Sequence, residues 1–294
     1  MKAIMQECKE YGWAKLNISL DVTDKRPDGY HDMVMVMQTI SLGDSVSIRL
    51  NDSGKVRART NLSFIPGDER NLAVKAALKF LSAIDAEGQG MSIVIDKDIP
   101  VGAGMAGGST DAAAVLRALN RMYDYPLSSQ QLEELSAEVG SDVPFCVRGG
   151  TCLATGRGEK LESLKDFPDC SYVVCKPEFS ISTPELFRKL DQMSLRCHPD
   201  TAGILDAVEQ GNLDKVCRRM YNVFEDVDDR RLRTVKDIKS IMLDYGALGA
   251  MMTGTGSAVF AIFRKGAQVD ELVSRLRAAY GFCVSAENVS RLIN

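Results

Sequence analysis

From Leu16 to Val22 apolar residues alternate with Asn17, Ser19 and Asp21, the period of two that a half-buried strand requires. Strand character continues over residues 34–40 and 46–50, with Lys25-Arg26-Pro27-Asp28-Gly29 and Leu42-Gly43-Asp44 read as turns. Then the period lengthens: Leu72, Ala73, Ala76, Ala77, Phe80, Leu81 and Ile84 share one helical face. A strand over 91–95 leads to a glycine-rich loop and a helix from Thr110 to Tyr123. Ser128 with Gln131 forms a capping box for a helix that runs to Val139, and Gly140 is placed to end it.

Beyond Gly149-Gly150 short strands flank Gly156-Arg157-Gly158, and an apolar strand over 172–175 closes at Lys176-Pro177. The text is then mostly helical from Thr183-Pro184, where Thr183 is a good helix N-cap, to the stop at Gly246. Residues 246–263 carry no charge, but Thr253-Gly254-Thr255-Gly256-Ser257 at their centre favours two short strands around a turn over a membrane span. A helix over 268–280 and a strand near Cys283 finish the pattern. The reading is α+β in two domains, 1–163 and 164–294.

Composition narrows the chemistry. With 36 Lys and Arg against 40 Asp and Glu there is no global positive field for nucleic acid. The eight cysteines never form C-x-x-C, so neither a zinc framework nor a disulfide scaffold is indicated, and reduced thiols in a cytoplasmic protein are expected. No apolar stretch of signal-peptide length opens the chain. Methionines such as Met33, Met35, Met37, Met251 and Met252 read as core filler. Only two histidines occur, His31 and His198, so proton transfer falls to carboxylates, lysine and hydroxyls. No role is assigned to His198.

Residues 100–111, PVGAGMAGGSTD, lie between a strand and a helix. Glycines feeding a helix N-terminus let backbone N–H groups and the helix dipole converge on an anion, and phosphate is the natural guest. The P-loop lysine is absent. Gly102, Gly104 and Gly107 satisfy G-x-G-x-x-G literally, but the acidic residue expected about 20 positions on at a strand end is replaced by a helix exit at Asp124. A dinucleotide oxidoreductase is therefore a lesser alternative.

Three separated motifs, Ala14-Lys15-Leu16-Asn17, PVGAGMAGGSTDAA and Thr253-Gly254-Thr255-Gly256-Ser257, resemble those of the GHMP kinases in order and spacing. Within that family KRPDGYH (25–31), GSDVPFCVRGG (140–150), ATGRGEK (154–160) and ISTPELF (181–187) are similar to the branch that acts on a cytidine-diphosphate-linked methylerythritol in the non-mevalonate isoprenoid pathway. The resemblance implies two α+β domains with the cleft between them, and ATP- and Mg²⁺-dependent phosphorylation of the 2-hydroxyl of that small molecule. It implies neither nucleic acid nor membrane as partner, and a monomer or weak homodimer. A GHMP kinase for another alcohol, such as homoserine or mevalonate, or a non-catalytic ligand sensor, are the alternatives. The metal ligands are unassigned.

The same resemblance distributes the roles. Asp142 would be the general base, and Lys15 beside it would keep that carboxylate ionised and stabilise developing charge. On residues alone Asp142 reads as a turn cap, a reading that the GSDVPF resemblance reverses, and Lys15 as a residue facing either solvent or a polar cleft. ATP would lie on Pro100, Val101, Gly102, Ala103, Gly104, Met105, Ala106, Gly107, Gly108, Ser109 and Thr110, with both hydroxyls offered to phosphate or metal. Asn71 and Lys97 match positions near adenine and ribose, or else are a helix-start residue and a surface charge. Tyr30, His31 and Phe187 would hold the cytidine, with Asn17, Thr183, Gly254, Thr255 and Gly256 around the rest of the substrate. Two positions depart from the family: Trp13 replaces a frequent proline, and Ala106 a frequent glycine, which demands negative φ at that alanine.

Overall fold

Two long strands, β1 (Glu7–Lys25) and β2 (His31–Asn51), pair antiparallel across the expected Pro-Asp-Gly turn and form the spine of the first sheet. They belong to a computed structural model that describes residues 3–195 and 197–293. The predicted turn at Leu42-Gly43-Asp44 is not one, for β2 runs through it. Gly43 pairs with Trp13, and a Cβ on it would meet the Trp13 ring at 2.5 Å, so this glycine makes room for a ring rather than a reversal. The register slips between Trp13 and Lys15, and the bent β2 serves two further ladders.

β3 (Val56–Thr60), α1 (Leu72–Ala83) and β4 (Gly90–Asp96) form a crossover with β3 and β4 parallel, and β4 pairs with residues 45–51 of β2. α2 (Gly107–Met122) begins three residues before the expected Thr110, and its alanines lie flush on the sheet. So close is the approach that a Cβ on Gly12 of β1 would lie 2.8 Å from the Thr110 carbonyl. α3 (Ser129–Ala137) carries the predicted capping box, and α4 (Val143–Arg148), six residues long, has no counterpart in the sequence reading. β5 (Thr151–Thr155) pairs with residues 35–38 of β2, and β6 (Lys160–Ser163) closes the hairpin.

The second sheet is antiparallel in the order β11 (Phe282–Glu287), β7 (Cys170–Lys176), β10 (Val259–Arg264), β9 (Gly249–Met252). Between β7 and β9 come α5 (Thr183–Leu190), α6 (Thr201–Glu209), α7 (Leu213–Cys217), a two-residue strand β8 (Tyr221–Asn222) and α8 (Leu232–Asp244). α9 (Asp270–Tyr280) packs on β7 and β11. The sheets are stitched together twice. β8 joins the first sheet beside Ser19 and Leu20, and the tail after β11 bridges Asn288 to Ile40 and Arg291 to Gly149. The charge-free stretch is a strand pair as expected, and among the described residues no helix is long and apolar enough to cross a membrane. All eight cysteines are free thiols, and all but Cys197 are buried.

Candidate active site

A cleft of about 970 Å³ opens between the glycine loop, β1, α5 and the loop after β9. Its floor is the loop itself. Gly102 and Gly104 sit at positive φ, 65° and 78°, and so does Ala106, at 60°. The expectation of negative φ at Ala106 is therefore overturned: the alanine occupies the left-handed N-cap of α2 at a cost of about 1–2 kcal/mol. The turn so made leaves the N–H groups of Gly107, Gly108 and Ser109 ahead of the first helical hydrogen bond, which Thr110 N–H donates to Ala106 O at 2.9 Å. Ser109 lines the cleft. Thr110 does not: it is fully buried, and its hydroxyl donates back to Gly107 O at 2.8 Å, so it is not offered to a ligand as expected.

Beneath the loop lies an ion triad. Lys97 is no surface charge; it is buried and donates to Asp44, to Asp111 Oδ2 at 2.7 Å and to Gly107 O at 3.2 Å. Asp44 also accepts from the N–H groups of Asp98 and Ile99, at 2.7 and 2.8 Å. Lys97 and the acidic side chains of Asp44 and Asp111 thus fasten both the entry and the exit of the loop. Burial pushes the Asp111 carboxyl up to about 8, with Lys97 opposing and Asp44 reinforcing, and its Oδ1 has no partner among the described residues. Asn71 caps α1, accepting from Ala73 N–H at 2.9 Å, while also lining the cleft.

Both faces of β1 are buried here, so Lys15, 4% exposed, belongs to a polar cleft and not to a solvent face. Its ammonium donates to Asn17 Oδ1 at 2.6 Å, and that oxygen also accepts Gly254 N–H at 3.0 Å. Asn17 Nδ2 reaches Met35 Sδ at 3.2 Å. Asn17 is thus spent internally and does not line the cleft; nor does Gly256, whose added Cβ would lie 2.6 Å from Met252 Sδ. Asp142 stands at the N-terminus of α4, yet its side chain caps nothing and has no hydrogen-bond partner among the described residues. It faces the cleft, as Lys15 does. The Cys146 thiol below them is pushed up by burial first and by the Asp142 charge second, with Lys15 pulling the other way.

At the far end His31 stacks on Phe187, centroids 4.7 Å apart, and Phe187 meets Phe224 edge-on at 4.9 Å. His31 Nε2 lies 2.7 Å from Asp191, whose carboxyl is held below the usual carboxylate range by Lys25 first and His31 second. An ionised carboxylate only accepts, so Nε2 is the donor of this pair. Tyr30 is 56% exposed at the rim. Thr183 is the first residue of α5, with Ser182 rather than Thr183 at the N-cap, and its hydroxyl bonds Thr255 Oγ1 at 2.7 Å. Of the methionines read as core filler, Met35, Met37, Met251 and Met252 are buried in the core as expected, Met35 also bordering the cleft, and Met33 lines the cleft from a partly buried position. Sequence reasoning missed Arg70, Ser141, Arg157 and Asp191 on the walls; Asp191 lies one helical turn beyond Phe187, the spacing that could have found it.

The model described as GHMP kinases N terminal domain matches residues 71–150, and that described as GHMP kinases C terminal matches 204–281. A curated relative from Bacillus velezensis, 4-diphosphocytidyl-2-C-methyl-D-erythritol kinase, is 46% identical over 270 residues, covering 92% of each chain. The chain belongs to the GHMP kinase family. The Bacillus subtilis relative of the same name is 44% identical over 92% of each chain. Among solved structures, a 4-(cytidine 5'-diphospho)-2C-methyl-D-erythritol kinase superposes with a TM-score of 0.79 at 28% identity, covering 96% of this GHMP kinase and 100% of that chain. The homoserine kinase from Cytophaga hutchinsonii, 18% identical with a TM-score of 0.75 over 100% of this chain and 98% of its own, shares the fold.

Proposed function

We propose that this GHMP kinase transfers the γ-phosphoryl group of ATP to the 2-hydroxyl of 4-diphosphocytidyl-2-C-methyl-D-erythritol, in the non-mevalonate route to isoprenoid precursors. The observation that carries the reading is one cleft with the N-terminus of α2 on its floor, a carboxylate without a hydrogen-bond partner among the described residues on one wall and the His31–Phe187 stack at its end.

On this reading ATP lies along residues 100–109, between Asn71 and the loop fastened by Lys97. Its phosphates accept from the N–H groups of Gly107, Gly108 and Ser109. The half up to residue 163 brings ATP and the base, and the half from 164 brings the wall of Thr183, Phe187, Gly254 and Thr255. Asp142 takes the proton of the attacking hydroxyl as the new O–P bond forms, a contribution of about 10²–10⁴-fold. Lys15, oriented by Asn17, sets a positive charge against the oxygens that gain charge in a loose transition state. Mg²⁺ would be held mainly by phosphate and water, with the Ser109 hydroxyl of the cleft beside them. When bound, that ion supplies neutralisation of the phosphate charge. Cytosine meets Phe187 and Tyr30 by its faces, and the imidazole of His31, held by Asp191, faces its polar edge.

ADP release with ATP, Mg²⁺ and a panel of acceptor alcohols tests the assignment. The cytidyl substrate should be turned over in preference; preferred turnover of homoserine or mevalonate would overturn it, and none of any acceptor would return the chain to a sensor.

A further inference from the structure

Among the described residues six Lys and Arg side chains line the cleft: Lys15, Lys25, Arg70, Lys97, Arg157 and Arg188. Four are engaged, Lys15 by Asn17, Lys25 by Asp191 at 2.5 Å, Arg70 by Asp68 at 2.9 Å and Lys97 by the triad. The guanidinium of Arg157 has neither a hydrogen bond nor an ion pair among the described residues, although, after the Tyr30 N–H, its charge helps to hold the Asp28 carboxyl below its ordinary value; it lies over the ring of Tyr30, 5.1 Å from the centroid. Stacked there, a guanidinium keeps its in-plane N–H fork free for an anion.

What separates Arg157 from the equally unpaired Arg188 is the segment that carries it. The β5–β6 turn is tight, with Gly156 and Gly158 at φ 69° and 108°. Arg157 N–H donates to Glu159 at 2.7 Å, and Gly156 O accepts Met33 N–H at 2.7 Å, so the turn is pinned to β2. One residue on, the Cβ position of Gly158 lies 3.8 Å from Asp142 Oδ1. The turn therefore touches the carboxylate with one residue and the Tyr30 rim with its neighbour. A substrate with its hydroxyl at Asp142 and its base at Tyr30 and His31 must lay whatever joins the two along this turn.

We infer that Arg157 binds the diphosphate that links nucleoside to acceptor alcohol, and thereby sets the preference for a nucleoside-diphosphate-linked alcohol over a free one. The inference rests on the function proposed above. A bidentate guanidinium–phosphate contact is worth about tenfold to a hundredfold in affinity.

The test uses the full chain as wild type, Arg157→Gln and Arg157→Lys, with cytidine, CMP and CDP as competitive probes against the cytidyl substrate. In wild type CDP should inhibit better than cytidine, and that advantage should shrink by about tenfold or more in Arg157→Gln. Arg157→Lys should recover part of it, since charge returns without the fork. The KM for ATP and the melting temperature should hold in both, which separates ligand binding from damage to the turn. An unchanged CDP-over-cytidine ratio in Arg157→Gln, with wild type active on the cytidyl substrate, overturns this inference alone. A wild type that neither turns over that substrate nor favours CDP overturns the functional reading, and this inference with it.

Discussion

Gly104 and Thr253 meet backbone to backbone across the floor of the cleft: a Cβ on Gly104 would lie 2.2 Å from the Thr253 carbonyl oxygen. At φ 78° Gly104 also holds a conformation that side chains resist. Gly104→Ala must both strain the loop and drive it off residues 253–256, and should cost about 2–5 kcal/mol. Urea denaturation measures it; a midpoint equal to wild type would mean that the two loops do not touch.

Ala106 offers the opposite case. Its φ of 60° costs about 1–2 kcal/mol in an alanine, against about 0.5–1 kcal/mol of extra chain entropy for a glycine, so strain relief wins. Ala106→Gly should raise the unfolding free energy by up to about 1 kcal/mol, and the urea midpoint with it, without weakening ATP binding. A lowered midpoint would count against the left-handed assignment.

Asp142→Asn keeps the shape of α4 and every contact of the glycine loop. The expected outcome is an unchanged ATP dissociation constant by calorimetry with kcat reduced by about 10²–10⁴-fold. Full activity in that variant would hand the proton to another residue.

The triad predicts a pH effect of definite sign. Asp111 is raised from 3.8 to about 8 in the folded protein, so its protonated form favours folding. That contribution is complete below the unfolded pKa and is lost as the pH climbs through the folded one. Asparagine cannot titrate. Between about pH 5 and about pH 9 the melting temperature of wild type should therefore fall relative to that of Asp111→Asn. Parallel curves would mean that Lys97 outweighs burial and keeps Asp111 ionised throughout.

Local patterns are legible where they repeat. The apolar face of α1, the capping box of α3 and the strand pair around Gly254 stand in the structure as their periodicity says. What escapes the pattern is either short or distant. α4 spans six residues, less than two turns, and β8 has two residues whose partners lie about two hundred positions earlier. Lys97 reads as an ordinary charge because Asp44, 53 residues away, approaches only in the folded chain. Gly43 has the composition of a turn and the function of a gap for Trp13. Ser109 and Thr110 are adjacent hydroxyls with opposite fates, set by which side of the first turn of α2 each occupies. The residues proposed for the site gather at one cleft save Asn17, Thr110 and Gly256, which lie just behind its wall.

The tail after β11 bears on how the chain is made. Val289 N–H donates to Thr39 O at 2.9 Å and Leu292 N–H to Arg148 O at 2.7 Å, so the first sheet is finished by residues near position 290. On a ribosome the opening strands emerge long before those partners and wait for them. The first half thereby cannot complete its sheet until residues near 220 and 290 have been made, and a chain halted near residue 163 would hold a sheet with unsatisfied borders.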